Sequence, residues 1–230
     1  MSLFSLPPIP DVPVKGEAEG YPVRRIFCVG RNYAAHAAEM GNEVDREAPF
    51  YFTKSPANMV LSGAKLPYPP GTSDYHHEME FVIAIGAPVF RASPAEAEKA
   101  IYGYACGLDM TRRDRQAEGK DKRRPWDLGK DVEGSAVIAE ITKAADFGSV
   151  SGQRIALTVD GSIRQDATLT ELIHKVPDVV AHLSGYYHLG AGDLIYTGTP
   201  AGVGAVNPGA ALEGTIDGLA PIHLTLTAPE

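Results

Sequence analysis

The 230-residue chain contains only two cysteines, Cys28 and Cys106, both in apolar runs and without CxxC spacing. That excludes a CxxC redox or zinc motif, and buried free thiols in a reducing cytoplasm account for both residues. The N-terminus lacks the basic segment, apolar core and cleavage site of a signal peptide. No apolar run approaches a membrane span in length, so a soluble, cytoplasmic protein with no membrane partner is expected. An excess of positive charge is also missing. The formal net charge of −8 argues against nucleic acid or an anionic membrane as the main partner. GxGxxG and Walker phosphate motifs, internal repeats and linkers are absent as well.

Glycine (24) and proline (18) are abundant and dispersed, which predicts many turns, short strands and few long helices. Residues 1–22, rich in proline and polar residues, read as an extended N-terminal arm, and residues 23–230 as one catalytic domain. Strands are expected at 23–29, 49–53, 59–61, 80–85, 102–108, 137–141, 155–159 and 193–197, with two more closing the chain. Asp160-Gly161 is a hairpin signal. Helical character is expected over 33–40 with Gly41 as C-cap, after Ser93-Pro94, over 111–119, and over 170–189 as the longest helix. Strands with irregularly interspersed helices predict a single α+β fold.

The chemistry concentrates in residues 74–86. Glu78 and Glu80 stand one residue apart at the mouth of an apolar strand, and the two-residue period points both to the same side. Like charges that close repel unless a proton or cation lies between them. Asp109, at the end of the next long strand, supplies a third oxygen, and an all-carboxylate set favours Mg²⁺, Mn²⁺ or Ca²⁺ over zinc. The competing reading is strand-end acids paired with nearby Arg or Lys. His36 and Glu39, an i, i+3 pair, share one helix face and suit a general base acting on water; a surface ion pair is the alternative. Between Thr111 and Lys130 eight basic residues outnumber four acids, either as a solvated helix and loop or, for a few of them, as a cationic wall for a small anion. The turn at 198–204 offers a glycine-rich backbone and the Thr199 hydroxyl to a ligand.

Six motifs follow in order: Gly30-Arg-Asn-Tyr-Ala-Ala-His36-Ala-Ala-Glu39, Phe52-Thr-Lys-Ser, His77-Glu78-Met-Glu80, Gly103-Tyr-Ala-Cys-Gly-Leu-Asp109-Met-Thr-Arg-Arg-Asp, Pro125-Trp-Asp-Leu-Gly-Lys130 and Tyr196-Thr-Gly-Thr-Pro-Ala-Gly-Val-Gly204. The series, spanning residues 24–228, resembles the fumarylacetoacetate hydrolase family. Within it the resemblance is greatest to members acting on fumarylpyruvate, then to acylpyruvases. It implies a mixed β-sandwich roll with short peripheral helices, assembled as a homodimer. Mg²⁺ or Mn²⁺ would be held by Glu78, Glu80 and Asp109. His36 and Glu39 would activate water, Lys130 would stabilise developing negative charge, and Arg31, Lys54, Arg113, Gln116 and Thr199 would lie near the substrate.

The implied reaction cleaves the C3–C4 bond of a small anionic 2,4-dioxo acid, fumarylpyruvate giving fumarate and pyruvate in gentisate-type aromatic degradation. Two other readings share the scaffold: an acylpyruvase or oxaloacetate decarboxylase, and a 2-hydroxy-dienedioate isomerase. A non-catalytic binding protein is a further alternative, opposed by the presence of all three carboxylates and Lys130. After Lys130 the run Asp131-Val-Glu-Gly-Ser-Ala-Val-Ile departs from the family's Phe- and Pro-containing segment, which bears on substrate identity.

Overall fold

Every residue of the strand Met79–Ile85 is buried, and a strand apolar along its whole length has to be covered on both faces. The computed structural model, which describes residues 3–4, 7–39 and 47–230, covers it with two separate cores. Phe81, Ile83 and Ile85 enter one core, and Val82 and Ala84 enter the other. The neighbouring strand Ile101–Asp109 divides in the same way, with Cys106 and Leu108 in the first core and Ala105 in the second. Full burial of a side chain such as Phe81 contributes roughly 1.5–3 kcal/mol.

These two strands pair antiparallel at the centre of an eight-stranded sheet. Its order is Phe50–Lys54, Arg25–Gly30, Asp193–Tyr196, Met79–Ile85, Ile101–Asp109, Ala136–Ile138 and Met59–Leu61, with Thr142–Lys143 also on Ile101–Asp109. A five-stranded sheet runs Ser162–Thr168, Arg154–Val159, Ala211–Ile216, Ile222–Thr227 and Ala64–Pro67. It packs on one face, where Ile155, Leu157, Leu212 and Leu224 share the larger core with Phe81. On the other face Val12, Val14 and Tyr21 pack with Ile26, Val82 and Leu194. The Tyr21 hydroxyl fastens this segment, donating to the Ile85 carbonyl at 2.7 Å and accepting from the Gly192 N–H at 2.9 Å. A small third sheet aligns Thr111–Arg112, Tyr75–His77 and Gly204–Val206. The result is an α+β fold of packed, curled sheets with short helices, as the sequence predicts. Among the described residues no helix is long and apolar enough to cross a membrane.

Local signals act as expected at Ser93, which accepts from the Glu96 N–H while Glu96 accepts from the Ser93 N–H, capping the helix Pro94–Lys99. Asp160 (φ 51°) and Gly161 (φ 77°) form the tight hairpin turn between Arg154–Val159 and Ser162–Thr168. Other expectations are corrected. Residues 170–189 do not form one helix: a single 3-10 turn, Leu169–Glu171, is followed by extended chain and then the helix Val176–Ser184. Pro177 lies in the first turn of that helix, where its missing N–H has no intrahelical acceptor to lose, and so marks a helix start, while Asn32 takes over the hydrogen bonding of the interruption, its carbonyl accepting from the Ile173 N–H at 2.8 Å and its Oδ1 from the His174 N–H at 2.7 Å. The strand expected at 137–141 ends at Ile138, because Ile141 pairs instead with Pro13 and Lys15 of the N-terminal segment. The helix expected over 111–119 starts at Arg113, because Thr111 and Arg112 belong to the small sheet. Ala34–Glu39 is helical; Met40 and the expected cap Gly41 lie outside the described residues.

Candidate active site

Glu78 occupies the joint between Tyr75–His77 and Met79–Ile85, and its carbonyl accepts the Asp109 N–H at 2.9 Å. That bond, with the register Met79↔Leu108 and Glu80↔Gly107, brings the three predicted acids together from two strands. One oxygen from each of Glu78, Glu80 and Asp109 lies within 4.8 Å of the others, and all three residues are buried. At that separation two carboxylates repel by about 3.5 kcal/mol with an effective dielectric near 20. The protein answers with cations. Lys130 Nζ donates to Glu78 Oε2 at 2.7 Å, to Asp109 Oδ2 at 2.8 Å and to Thr111 Oγ1 at 2.8 Å. Arg113 donates to Glu78 Oε1. Burial opposes ionisation of Glu78, but Lys130 and Arg113 outweigh it and hold its carboxyl below the usual range. Burial likewise disfavours the Lys130 ammonium, and Asp109 and Glu78 reverse this and raise its pKa.

Glu80 is the exception. Its hydrogen bond is to a neutral donor, the Gly198 N–H at 2.8 Å. Burial, then Asp109 and Glu78, push its carboxyl well above the ordinary value. Three convergent, buried oxygen donors, one of them without a cation of its own, fit a hard divalent cation and would not select zinc.

His36 lines the same pocket, which measures about 420 Å³ including its mouth. Its Nδ1 is 3.3 Å from Glu39 Oε2, and the Glu39 carboxylate also accepts the Gly202 N–H at 3.1 Å. Burial lowers the His36 pKa, overcoming the opposing pull of Glu78 and Glu39, so the imidazole is kept neutral and able to accept a proton. Two glycines make these contacts feasible. A Cβ on Gly198 (φ 94°) would stand 2.9 Å from Asn32 Cβ, and one on Gly202 (φ 95°) would stand 1.9 Å from the Arg164 carbonyl oxygen.

Arg31, Arg113, Gln116 and Thr199 also line the pocket. Gln116 Oε1 accepts from Arg113 at 2.7 Å. Arg31 adopts φ 57° and lays its guanidinium over the Phe50 ring. The Thr199 hydroxyl is committed to the fold, donating to the Met79 carbonyl and accepting from Gln165, both at 2.8 Å. Lys54 departs from expectation. It is buried behind Asp109, 2.9 Å from Oδ1, and donates to Ser135 Oγ at 2.8 Å and the carbonyls of Met110 and Lys130. It supports Asp109 and is not among the residues that line the pocket.

Several contributors went unassigned at the sequence level. Gln165, fully buried on an outer-sheet strand, holds Met79 N, Thr199 and the Pro200 carbonyl. Asn32 donates to the Thr197 carbonyl at 2.9 Å, fixing the chain just before Gly198. Phe50, Phe52, Trp126 and Lys120 complete the wall. The alternation Phe50, Phe52, Lys54 was the readable signal for the aromatic pair, since these positions share one strand face.

An oxygen-only carboxylate triad met by buried cations, with a neutral histidine on the same pocket wall, has the make-up of a metal-assisted enzyme for small anions. The family model for the fumarylacetoacetate (FAA) hydrolase C-terminal region matches residues 25–227. A fumarylpyruvate hydrolase of Ralstonia is 52% identical over 193 residues, 83% of this chain and 100% of that protein. An oxaloacetate tautomerase of Escherichia coli is 37% identical over 205 residues, 89% of this chain and 93% of that protein. The crystal structure of the Pseudomonas aeruginosa fumarylpyruvate hydrolase in complex with Mn²⁺ and pyruvate superposes with a TM-score of 0.95 at 41% identity, covering 99% of this chain and 100% of that one. The chain belongs to the fumarylacetoacetate hydrolase family.

Proposed function

We propose that the protein is a metal-dependent hydrolase that cleaves fumarylpyruvate to fumarate and pyruvate. The observation that carries this reading is that Glu78 and Glu80 of the carboxylate triad line one pocket with His36, which is paired with Glu39. Hydrolysis needs a base to activate water, whereas decarboxylation needs no base and tautomerisation needs one only for the C3 proton. The similarity to the Ralstonia fumarylpyruvate hydrolase supports the choice of acyl group.

Glu78, Glu80 and Asp109 would hold Mg²⁺ or Mn²⁺. Bound there, the cation would supply Lewis-acid polarisation of the 2-oxo acid end of the substrate. His36, held by Glu39 through Nδ1, takes a proton from water at its other nitrogen as the oxygen attacks C4. The C3–C4 bond breaks with its electron pair going to C3, and reprotonation there gives pyruvate while C4 becomes the carboxylate of fumarate. Lys130 offsets negative charge developing beside it. In this reading residues 23–230 act as one catalytic domain with residues 1–22 as its arm, and the working form is a cytoplasmic homodimer. The buried, unpaired thiols of Cys28 and Cys106 suit that compartment.

The oxaloacetate tautomerase of E. coli supports a second reading, enolate chemistry on oxaloacetate without attack by water. The test is pyruvate release from fumarylpyruvate, acetylpyruvate and oxaloacetate with Mg²⁺ or Mn²⁺, and with EDTA as control. Metal-dependent release from fumarylpyruvate is expected. Pyruvate release from oxaloacetate alone, or only a metal-dependent loss of the enol absorbance of oxaloacetate with no release from fumarylpyruvate, would replace the hydrolase reading with the second one.

A further inference from the structure

The helix Arg113–Asp121 places Arg113, Gln116 and Lys120 at i, i+3 and i+7, one face of the helix, and all three line the pocket. The cations of this helix are otherwise spoken for. Arg113 is paired with Glu78, while Arg115 and Lys122 turn outward to Glu118. Lys120 has no carboxylate partner among the described residues; its ammonium stands over the Trp126 ring, 5.1 Å from the centroid. Arg31 is in the same position, with no carboxylate among the described residues and its guanidinium 5.5 Å from the Phe50 centroid. The two rings are themselves packed edge to face at 5.6 Å. Two cations with no counter-ion among the described residues, held by one aromatic pair on a shared wall, are poised for an anionic group from outside the protein.

We propose that Lys120 acts with Arg31 as a second anion subsite that holds the distal carboxylate of a dicarboxylic substrate, so that diacid acyl groups are selected over monoacid ones. The proposal rests on the acylpyruvate reading only for which end of the substrate is distal. The groups around Lys120 fit the role. Burial, then Arg113, Arg31 and Lys130, lower its pKa to about 8, against a weaker opposing effect of Glu78. An arriving carboxylate relieves that repulsion. The planar, conjugated chain of a fumaroyl group also suits a wall made by Phe50, Phe52 and Trp126.

Calorimetric titration of fumarate, and separately of pyruvate, into the Mg²⁺-loaded protein reads this subsite without turnover. Lys120→Met is expected to weaken fumarate binding about tenfold or more, the loss of one charge-assisted hydrogen bond, and to weaken pyruvate binding far less. Lys120→Arg is expected to restore fumarate, and Lys122→Met, which alters an outward-facing cation of the same helix, to leave it unchanged. In kinetics, the ratio of kcat/KM for fumarylpyruvate to that for acetylpyruvate should fall in Lys120→Met through KM rather than kcat. Equal weakening of both probes, fumarate binding indifferent to Lys120, or no fumarate binding by the wild-type protein would overturn the proposal. If the wild-type protein releases no pyruvate from fumarylpyruvate, the hydrolase reading fails instead, and the fumarate titrations still decide the subsite.

Discussion

Replacing Lys54 by Met separates support of a ligand from contact with substrate. The family resemblance places this lysine near the substrate, whereas the structure buries its ammonium between Asp109, Ser135 and the carbonyls of Met110 and Lys130. Methionine preserves the length of the side chain and removes the charge. Asp109 then remains buried with one cation, Lys130, in place of two, and two carbonyls and a hydroxyl lose a donor. Removing one partner of a buried ion pair costs about 3–5 kcal/mol. For a chain of this size each kcal/mol moves Tm by roughly 2–4 °C, so Tm should fall by about 6–20 °C. Differential scanning calorimetry without added metal measures it. Steady-state kinetics on the folded variant should show kcat falling by more than KM rises, because Asp109 loses its fixed position while the pocket wall is intact. A Tm within about 2 °C of wild type, with KM raised and kcat retained, would refute this reasoning and return Lys54 to the substrate.

Three further outcomes are expected. Glu39→Gln should retain Mg²⁺ binding by calorimetry yet lower hydrolysis by about 10²-fold or more; unchanged turnover would remove the dyad from the mechanism. Because burial keeps His36 neutral to lower pH than a free imidazole, hydrolysis should hold steady as pH falls toward 6.5 and decline only below it. An acid limb of kcat/KM centred above pH 7 would contradict the assignment of His36 as base. Gly202→Ala forces a Cβ to within 1.9 Å of the Arg164 carbonyl at a φ of 95°. It should cost about 1–3 kcal/mol by urea unfolding, and a stability equal to wild type would show that the loop relaxes freely.

The triad and the central strands were legible because their signals are local. Glu78 and Glu80 follow the two-residue period of their own strand, and the apolar run after them can only be a buried strand. Asp109 was readable as the polar end of the next apolar run. The features that escaped notice depend on contacts far apart in sequence. The resemblance puts Lys54 near the substrate, and nothing near it in sequence shows that the end of its strand is enclosed by Met110, Lys130 and Ser135. Gln165 sits on a hairpin strand whose other residues are mostly exposed, and only the packing of the outer sheet brings it to Met79 and Thr199. The break in the helix expected at 170–189 comes partly from Asn32, 142 residues away. Lys120 belongs to a charged helix, and periodicity alone does not reveal that its neighbours on that helix are already paired.

Two carboxylates, Glu80 in the triad and Glu39 beside His36, are gripped by one stretch of main chain: the Gly198 N–H holds Glu80, and the Gly202 N–H holds Glu39. The interval between the carboxylate triad and the His36–Glu39 pair is thus measured by the backbone of residues 198–202. Side chains on the remaining wall can change to admit a different acyl group while this ruler keeps its length. Divergence of substrate within such a scaffold requires no re-spacing of its chemistry, whereas an insertion of a single residue in that stretch would disturb both ends at once.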